Sequence, residues 1–304
     1  MIQTTVLTDN LNLVATKHLD ADDLQELQNT YQIKPDIIKY VTDLDENPNY
    51  DYDPLSHTQL LIIQIPNLLK AKDLQYDTQP IGLLLFQDNL FTFNQSNSLF
   101  FEQLIQQVAT NKPQLEPQQL ILNIILKLMD SFVPIIHKFT QKRNQLAQAL
   151  RQKIKNTDLI SLSFLQQSLS LFYSGIALDV SVIKHLPQTQ FVKHIAATKT
   201  INAALIDALV EGQQVQQMVE TELGVVEQIS NTFNVIANNN LNSTMKLLTV
   251  WSLTLTIPTV ITGFYGMNVD LPFSKMHSAW LIIILIIVLS SIWLLLLLKH
   301  HKKL

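Results

Sequence analysis

The apolar spacing along this chain changes character several times, and each change predicts a different element. From Leu11 to Thr42 two short helical patterns stand among polar residues. The second opens at Pro35, which suits a first helical turn because it has no N–H to leave unsatisfied. Leu60 to Ile65 and Ile81 to Phe93 are rich in Leu, Ile and Phe, with Asp88-Asn89 reading as a hairpin turn, so a small β-sheet is expected in the first third. Leu99 to Val108 and Pro117 to Lys155 carry apolar residues at helical spacing, parted by a polar linker that contains Pro113. Asp158 to Leu186 reads as a further helical hairpin, closed by Pro187.

A long polar-apolar pattern then runs from Gln190 to about Thr244, interrupted by Gly212 and Gly224 but by no proline. It exceeds the length of an ordinary globular helix. Within it Asn238, Asn239, Asn240 and Asn242 favour a loop by local chemistry, since asparagine competes with the helix for backbone hydrogen bonds.

Two apolar stretches close the chain. Ala279 to Leu298 is almost wholly Leu, Ile, Val and Trp, long enough at about 1.5 Å per residue to cross about 30 Å of hydrocarbon. A core helix rarely stays apolar around every face for that length. The tail Lys299, His300, His301, Lys302 and Lys303 predicts a cytoplasmic C-terminus and places Trp280 near the outer interface. The preceding stretch, about Lys246 to Tyr265, is diluted by Thr249, Ser252, Thr254, Thr256, Thr259 and Thr262. A short connection makes the two spans a tight hairpin and leaves both termini and the large domain cytoplasmic.

A heptad frame on the first span gives one column at Asn242, Thr249, Thr256 and Gly263 and a neighbouring column at Met245, Ser252 and Thr259. Such a stripe stays on one side of a helix in a bundle and would line an axis shared by several copies. Small and hydroxylated residues also suit helix–helix packing, or bonds back to their own carbonyls. One hairpin cannot enclose a pore, so an ion path requires a homo-oligomer.

Composition narrows the function classes. The 304 residues carry a net charge of −4 with only 15% charged residues, and the basic residues are scattered apart from the terminal knot, which excludes a nucleic-acid surface. There is no cysteine, hence no disulfide, thiolate nucleophile or Cys-based metal site. The N-terminus shows no basic region followed by an apolar run, so no cleaved export signal is expected. The eight histidines are dispersed, and six glycines offer no phosphate loop, so neither catalytic zinc nor an enzyme nor ATP-driven transport is expected. Asn242-Ser243-Thr244 matches a glycosylation sequon but falls on the expected cytoplasmic side.

At the outer end of the first span stands Tyr265-Gly266-Met267-Asn268, followed by Asp270. This triplet, between two terminal spans with Met245-Lys246-Leu247-Leu248-Thr249 at the helix entry and Pro258 within it, resembles the CorA magnesium transporter family. The resemblance is sharp over about the last seventy residues and general in layout elsewhere. It implies an α+β cytoplasmic domain (1–188), a long stalk helix (189–245), a pore-lining transmembrane helix (246–266), an outer loop (267–278), a second transmembrane helix (279–298) and a basic cytoplasmic tail (299–304). It also implies a homopentamer in the cell membrane that passes Mg2+, with Co2+ or Ni2+ as surrogate ions and no cofactor beyond Mg2+ as substrate and regulatory ligand. Asn242, Met245, Leu248, Thr256, Gly263 and Asn268 would line the path, and the unbroken stalk of the family would carry the asparagine run as helix.

The chemistry fits independently. Magnesium holds its waters tightly, so a ring of Asn268 carboxamides can bind the hydration shell without stripping it. Met245 and Leu248 could close a pore by dewetting. Asp270 is either a cation-concentrating mouth charge or a solvated loop carboxylate. Gating by cytoplasmic Mg2+ would use acidic residues on the stalk. Where the family often supplies aspartate this chain has Asn231, so Asp207, Glu211, Glu220, Glu222 and Glu227 are the candidates, each also readable as part of a solvated face. A zinc transporter of the related branch is the alternative ion reading, although Met267 favours magnesium. A membrane-tethered cytoplasmic scaffold is the alternative of another class.

Overall fold

The protein is represented by a computed structural model that describes residues 2–8, 11–95, 100–111, 115–152, 155–193, 198–269, 272, 276 and 278–300. The chain divides into two compact units, Met1–Ile229 and Ser230–Leu304.

The first unit opens with β1 (Ile2–Thr8) and β2 (Leu11–Lys17), then α1 (Ala21–Asn29) and α2 (Pro35–Val41). β3 (Asn49–Asp53), β4 (Thr58–Lys70), β5 (Gln75–Phe86) and β6 (Asn89–Asn94) follow. The segment beginning at Leu11 is therefore strand first and helix only from Ala21, which corrects the expectation of two helical patterns from Leu11 onward. Its partners decide this: β2 lies antiparallel to β1 and parallel to β6, with Leu13 opposite Leu90 and Val14 opposite Phe91. The sheet has six strands in the order β1-β2-β6-β5-β4-β3, and the β5–β6 hairpin turns at Gln87 and Asp88.

The sheet is covered on both faces, which explains the continuously apolar stretches at residues 60–63 of β4 and 81–86 of β5. Along β4 the side chains alternate: Leu60 and Ile62 join Leu27, Ile38 and Val41 of α1 and α2, whereas Leu61, Ile63 and Ile65 join the larger core on the other face. That larger core is built with α3 (Phe100–Asn111), α4 (Pro117–Gln152) and α5 (Asn156–His185). α5 is one helix of 30 residues, not a hairpin, because its buried positions from Leu162 to Ile183 keep one helical side on the core throughout. Pro187 lies in the 3₁₀ turn Leu186–Gln188 that ends it, and α6 (Gln190–Lys193) is a single turn.

α7 (Thr198–Tyr265) then runs unbroken for 68 residues through Gly212, Gly224 and the asparagine run. In the first unit its buried positions Ile201, Leu205, Ala208, Val215, Val219 and Val226 alternate by threes and fours around Gly212 and Glu222, a heptad seam. At Gly212 a Cβ would come within 2.9 Å of Val180 on α5, so glycine sets how closely the helices approach.

The second unit holds the rest of α7 and α8 (Ala279–His300). Four helices are long and apolar enough to cross a membrane, but α4 and α5 bury about half of the relevant window within the protein, while the windows on α7 and α8 bury none. The first two are core helices. The last two expose Leu, Ile, Val and Trp side chains that water would not accommodate.

Candidate functional site

The polar column of α7 is exposed along its whole described length, from Asn242 through Met245, Leu248, Thr249, Ser252, Thr256 and Thr259 to Gly263. Half-buried positions in the same stretch are Val250, Thr254, Ile257, Pro258, Ile261 and Tyr265. At 3.6 residues per turn these lie on the side of the helix opposite the polar column. On α8, Ile283, Ile287, Ser290, Ser291, Leu294 and Leu298 are half-buried. Within the second unit the covered side of α7 is thus the side away from the polar column, and it includes Thr254.

Each threonine hydroxyl in this stretch donates to the carbonyl four residues earlier: Thr249 to Met245, Thr256 to Ser252 and Thr259 to Leu255, at 2.8–2.9 Å. Thr262 donates to Pro258 at 2.8 Å and Thr254 to Val250 at 2.8 Å. The single hydroxyl hydrogen is therefore committed to the helix, and what remains on the outer side of each oxygen is acceptor capacity. The same bonding answers the asparagine run, where Ser243 and Thr244 donate to the carbonyls of Asn239 and Asn240 at 2.9 Å and help hold the helix together. Pro258 has no N–H to give the Thr254 carbonyl, which opens the ladder at one point in the span.

α7 ends at Tyr265, and the triplet forms the turn beyond it. Gly266 donates its backbone N–H to Thr262 at 2.9 Å and Met267 donates to Phe264 at 3.3 Å. A Cβ on Gly266 would sit 3.3 Å from the Thr262 carbonyl oxygen, so lack of a side chain, rather than a left-handed backbone, makes this turn tight. Asn268 is exposed. Asp270 lies outside the described residues, as do Lys275 and His277. Gly263, with nothing within 4 Å of its absent side chain, leaves open space on the polar column.

The candidate regulatory carboxylates do not converge. Among the described residues there is no group of three His, Asp or Glu side chains placed to hold a metal ion. Asp207, Glu220 and Glu227 are exposed and Glu211 is half-buried. Glu222 is different, because it occupies the heptad seam. Its Oε2 lies 2.9 Å from Arg143 Nη1 of α4, and Thr140 donates to its Oε1 at 2.9 Å. Both charged side chains are about 15% exposed, so this is a mostly buried ion pair that ties α7 to α4. Arg143 and Thr140 were not singled out from the sequence. The heptad phase that places Glu222 among Val215, Val219 and Val226 was the signal available.

A further polar pair sits in the domain core. Asp179 of α5, fully buried, accepts the Gln64 backbone N–H of β4 at 2.9 Å. Burial pushes its carboxyl well above the usual carboxylate range, and the Gln64 bond opposes this only in part. Eleven residues earlier, on the same side of α5, Ser168 accepts the Tyr76 backbone N–H of β5 at 2.9 Å.

A model of the family described as CorA-like Mg2+ transporter protein matches residues 13–300. A Bacillus subtilis (strain 168) protein, YfjQ, whose name provisionally assigns it as a metal ion transporter, is 24% identical over 155 residues. That match covers 51% of this chain and 47% of the relative, about half the length of each. The complete structure of the CorA magnesium transporter from Methanocaldococcus jannaschii superposes with a TM-score of 0.79 at 18% identity, covering 95% of this chain and 90% of that one. Full-length CmaX gives 0.70 at 12% identity, covering 95% and 88%. The cytoplasmic domain of ZntB from Vibrio parahaemolyticus RIMD 2210633 gives 0.55 at 13% identity, covering 76% and 89%. At these identities the likeness to the solved structures is one of fold.

Proposed function

This chain belongs to the CorA-like Mg2+ transporter family, and from that premise we propose that several copies assemble with the hydroxyl-bearing side of α7 around a common axis, forming a passive channel for divalent cations. The last part of α7 and the whole of α8 are the two membrane spans, with both chain ends cytoplasmic, and five copies complete the path. The observation that carries this reading is the exposure of the polar column on the side of α7 opposite its half-buried positions.

The chemistry follows from the direction of the hydrogen bonds. A hydrated divalent cation turns the hydrogens of its inner waters outward, so it is best received by acceptors. Thr249, Thr256 and Thr259 have their hydrogens committed to helix carbonyls and offer only lone pairs to the axis. An anion needs donors and finds none on these hydroxyls. Asn268 adds a ring of amide oxygens at the outer end, where Mg2+ can be held with its waters in place. Met245 and Leu248, exposed on the same side near the cytoplasmic end, would form the apolar rings that close the path.

Mg2+ is the preferred ion of this reading, with Co2+ and Ni2+ as surrogates. Regulation by cytoplasmic Mg2+ falls to Asp207, Glu211, Glu220 and Glu227, because Glu222 is already neutralised by Arg143. The test is Mg2+ flux into liposomes that hold the purified full-length protein. Asn268→Ala is expected to abolish most of the flux, and raised internal Mg2+ to slow it. Zn2+ flux exceeding Mg2+ flux would move the assignment to a zinc carrier, and absence of flux for every divalent cation would leave only a membrane-anchored scaffold.

A further inference from the structure

Within the second unit a crevice of about 870 Å³ runs along one flank of α7 beside the end of α8. Its lining changes character along its length. Asn239, Ser243 and Lys246 make one part polar, Val250, Leu253 and Leu298 make another apolar, and Asn242, Met245 and Thr249 of the polar column form the remaining wall. One lysine lines the crevice and a second lies one residue beyond its lining. Lys246 opens the apolar part of α7, and Lys299 directly follows Leu298, the last apolar residue of α8.

The charge around this crevice is of one sign. No Asp or Glu occurs between Glu227 and Asp270, where Lys246 is the lone formal charge, and none occurs after Asp270. A cationic mouth over an apolar floor, at the depth where both helices pass from polar to apolar sequence, complements an amphiphile with an anionic head. The volume falls within the ~300–1,000 Å³ typical of small-ligand pockets.

We propose that this crevice holds an anionic phospholipid, with the phosphate at Lys246 and an acyl chain along Val250, Leu253 and Leu298. The proposal rests on the reading of α7 and α8 as membrane spans. A bound lipid of this kind would lie on the flank of α7 beside its polar column, whose Asn242, Met245 and Thr249 wall the crevice on one side, and would couple the cytoplasmic end of the path to the charge of the inner leaflet.

The full-length protein, purified in neutral detergent and stripped of lipid, is offered phosphatidylglycerol or phosphatidylcholine, and retained lipid is counted by native mass spectrometry. Phosphatidylglycerol is expected to be retained in preference. Lys246→Gln should weaken its retention about fivefold and leave phosphatidylcholine unchanged. Leu253→Trp, which fills the apolar floor, should weaken both. Equal retention of the two lipids, an unaltered Lys246→Gln protein, or displacement by inorganic phosphate would overturn the proposal. So would efficient disulfide formation between copies carrying Leu253→Cys in this cysteine-free chain, because a second copy would then occupy the crevice. Retention is read apart from ion flux: a protein that holds phosphatidylglycerol but passes no cation leaves the lipid site standing and removes the channel reading, and the converse removes the site alone.

Discussion

Asp179 and Gln64 are joined by a 2.9 Å hydrogen bond in which a fully buried side-chain carboxyl of α5 accepts a backbone N–H of β4. The bond has a topological cause. β3 pairs with β4 only as far as Asn49 opposite Ile62, so beyond that point the β3-side edge of β4 has no strand neighbour. A buried N–H there must find another acceptor. Ser168 does the same for Tyr76, which lies on β5 outside its pairing with β6. α5 therefore caps two strand edges with two polar residues spaced three turns apart on one side of a helix otherwise buried by apolar groups.

This arrangement predicts a pH dependence of stability. Burial raises the Asp179 carboxyl above its unfolded value of about 3.8, so the folded state binds the proton more tightly than the unfolded state. The associated stability is fully present below that unfolded value and is lost as pH rises through the folded value. Asp179→Asn keeps an acceptor for Gln64 and removes the titrating group, and should flatten this part of the profile. Asp179→Leu leaves the N–H unpaired and should cost about 1–3 kcal/mol at low pH, where the carboxyl is protonated, and less at high pH, where the wild-type protein has itself lost stability. Thermal midpoints of the detergent-purified protein, followed from below the ordinary carboxylate range to well above it, provide the check.

Breaking the seam pair should be costly from either side. Glu222→Ala strands the Arg143 guanidinium in a mostly buried site and should destabilise the first unit by about 3 kcal/mol. Glu222→Gln retains the acceptor for Thr140 and should cost less. If Glu222→Ala left the melting temperature unchanged while abolishing Mg2+ sensitivity, a metal-binding role would replace the structural one.

Two glycines of α7 should respond in opposite directions. Gly212→Ala drives a methyl against Val180 and should destabilise by about 1–3 kcal/mol. Gly224→Ala meets nothing within 4 Å and should gain up to about 1 kcal/mol from helix propensity. Chemical denaturation of both variants, followed by far-UV circular dichroism, distinguishes them.

Side-specific substitutions test the proposed ion path. Valine matches threonine in shape but offers no acceptor, so Thr249→Val and Thr256→Val should each reduce Mg2+ flux roughly fivefold, the scale of one lost hydrogen bond. Thr254→Val, on the half-buried side, should leave flux near wild type. Equal losses at all three positions would mean that the hydroxyls serve the helix itself rather than an ion.

Much of the layout was legible in residue order because it follows from local pattern. The run from Ala279 to Leu298 is apolar on every face and has no other stable environment of that length than lipid. The seven-residue column of α7 is a property of spacing alone. Leu11 to Lys17 was not legible, because Leu11, Leu13 and Val14 suit a helix or a strand equally, and only β1 and β6 on either side decide the matter. Asn238 to Asn242 was a conflict of local chemistry, and the helix on both sides of it prevails. Glu222 read like its neighbouring carboxylates until Arg143, 79 positions earlier in the chain, was seen to face it.

Sequence by itself determined the family, the α+β domain followed by a long helix and a terminal apolar hairpin, and the residue types along each helical side. Those depend on periodicity and hydrophobicity, which act between near neighbours. Only the tertiary structure decided which apolar helices are core and which are bare, which carboxylate is already paired, and why a buried aspartate belongs on α5. These depend on which groups are brought together across long stretches of chain, where the cost of an unpaired buried N–H or charge, rather than any local preference, selects the partner.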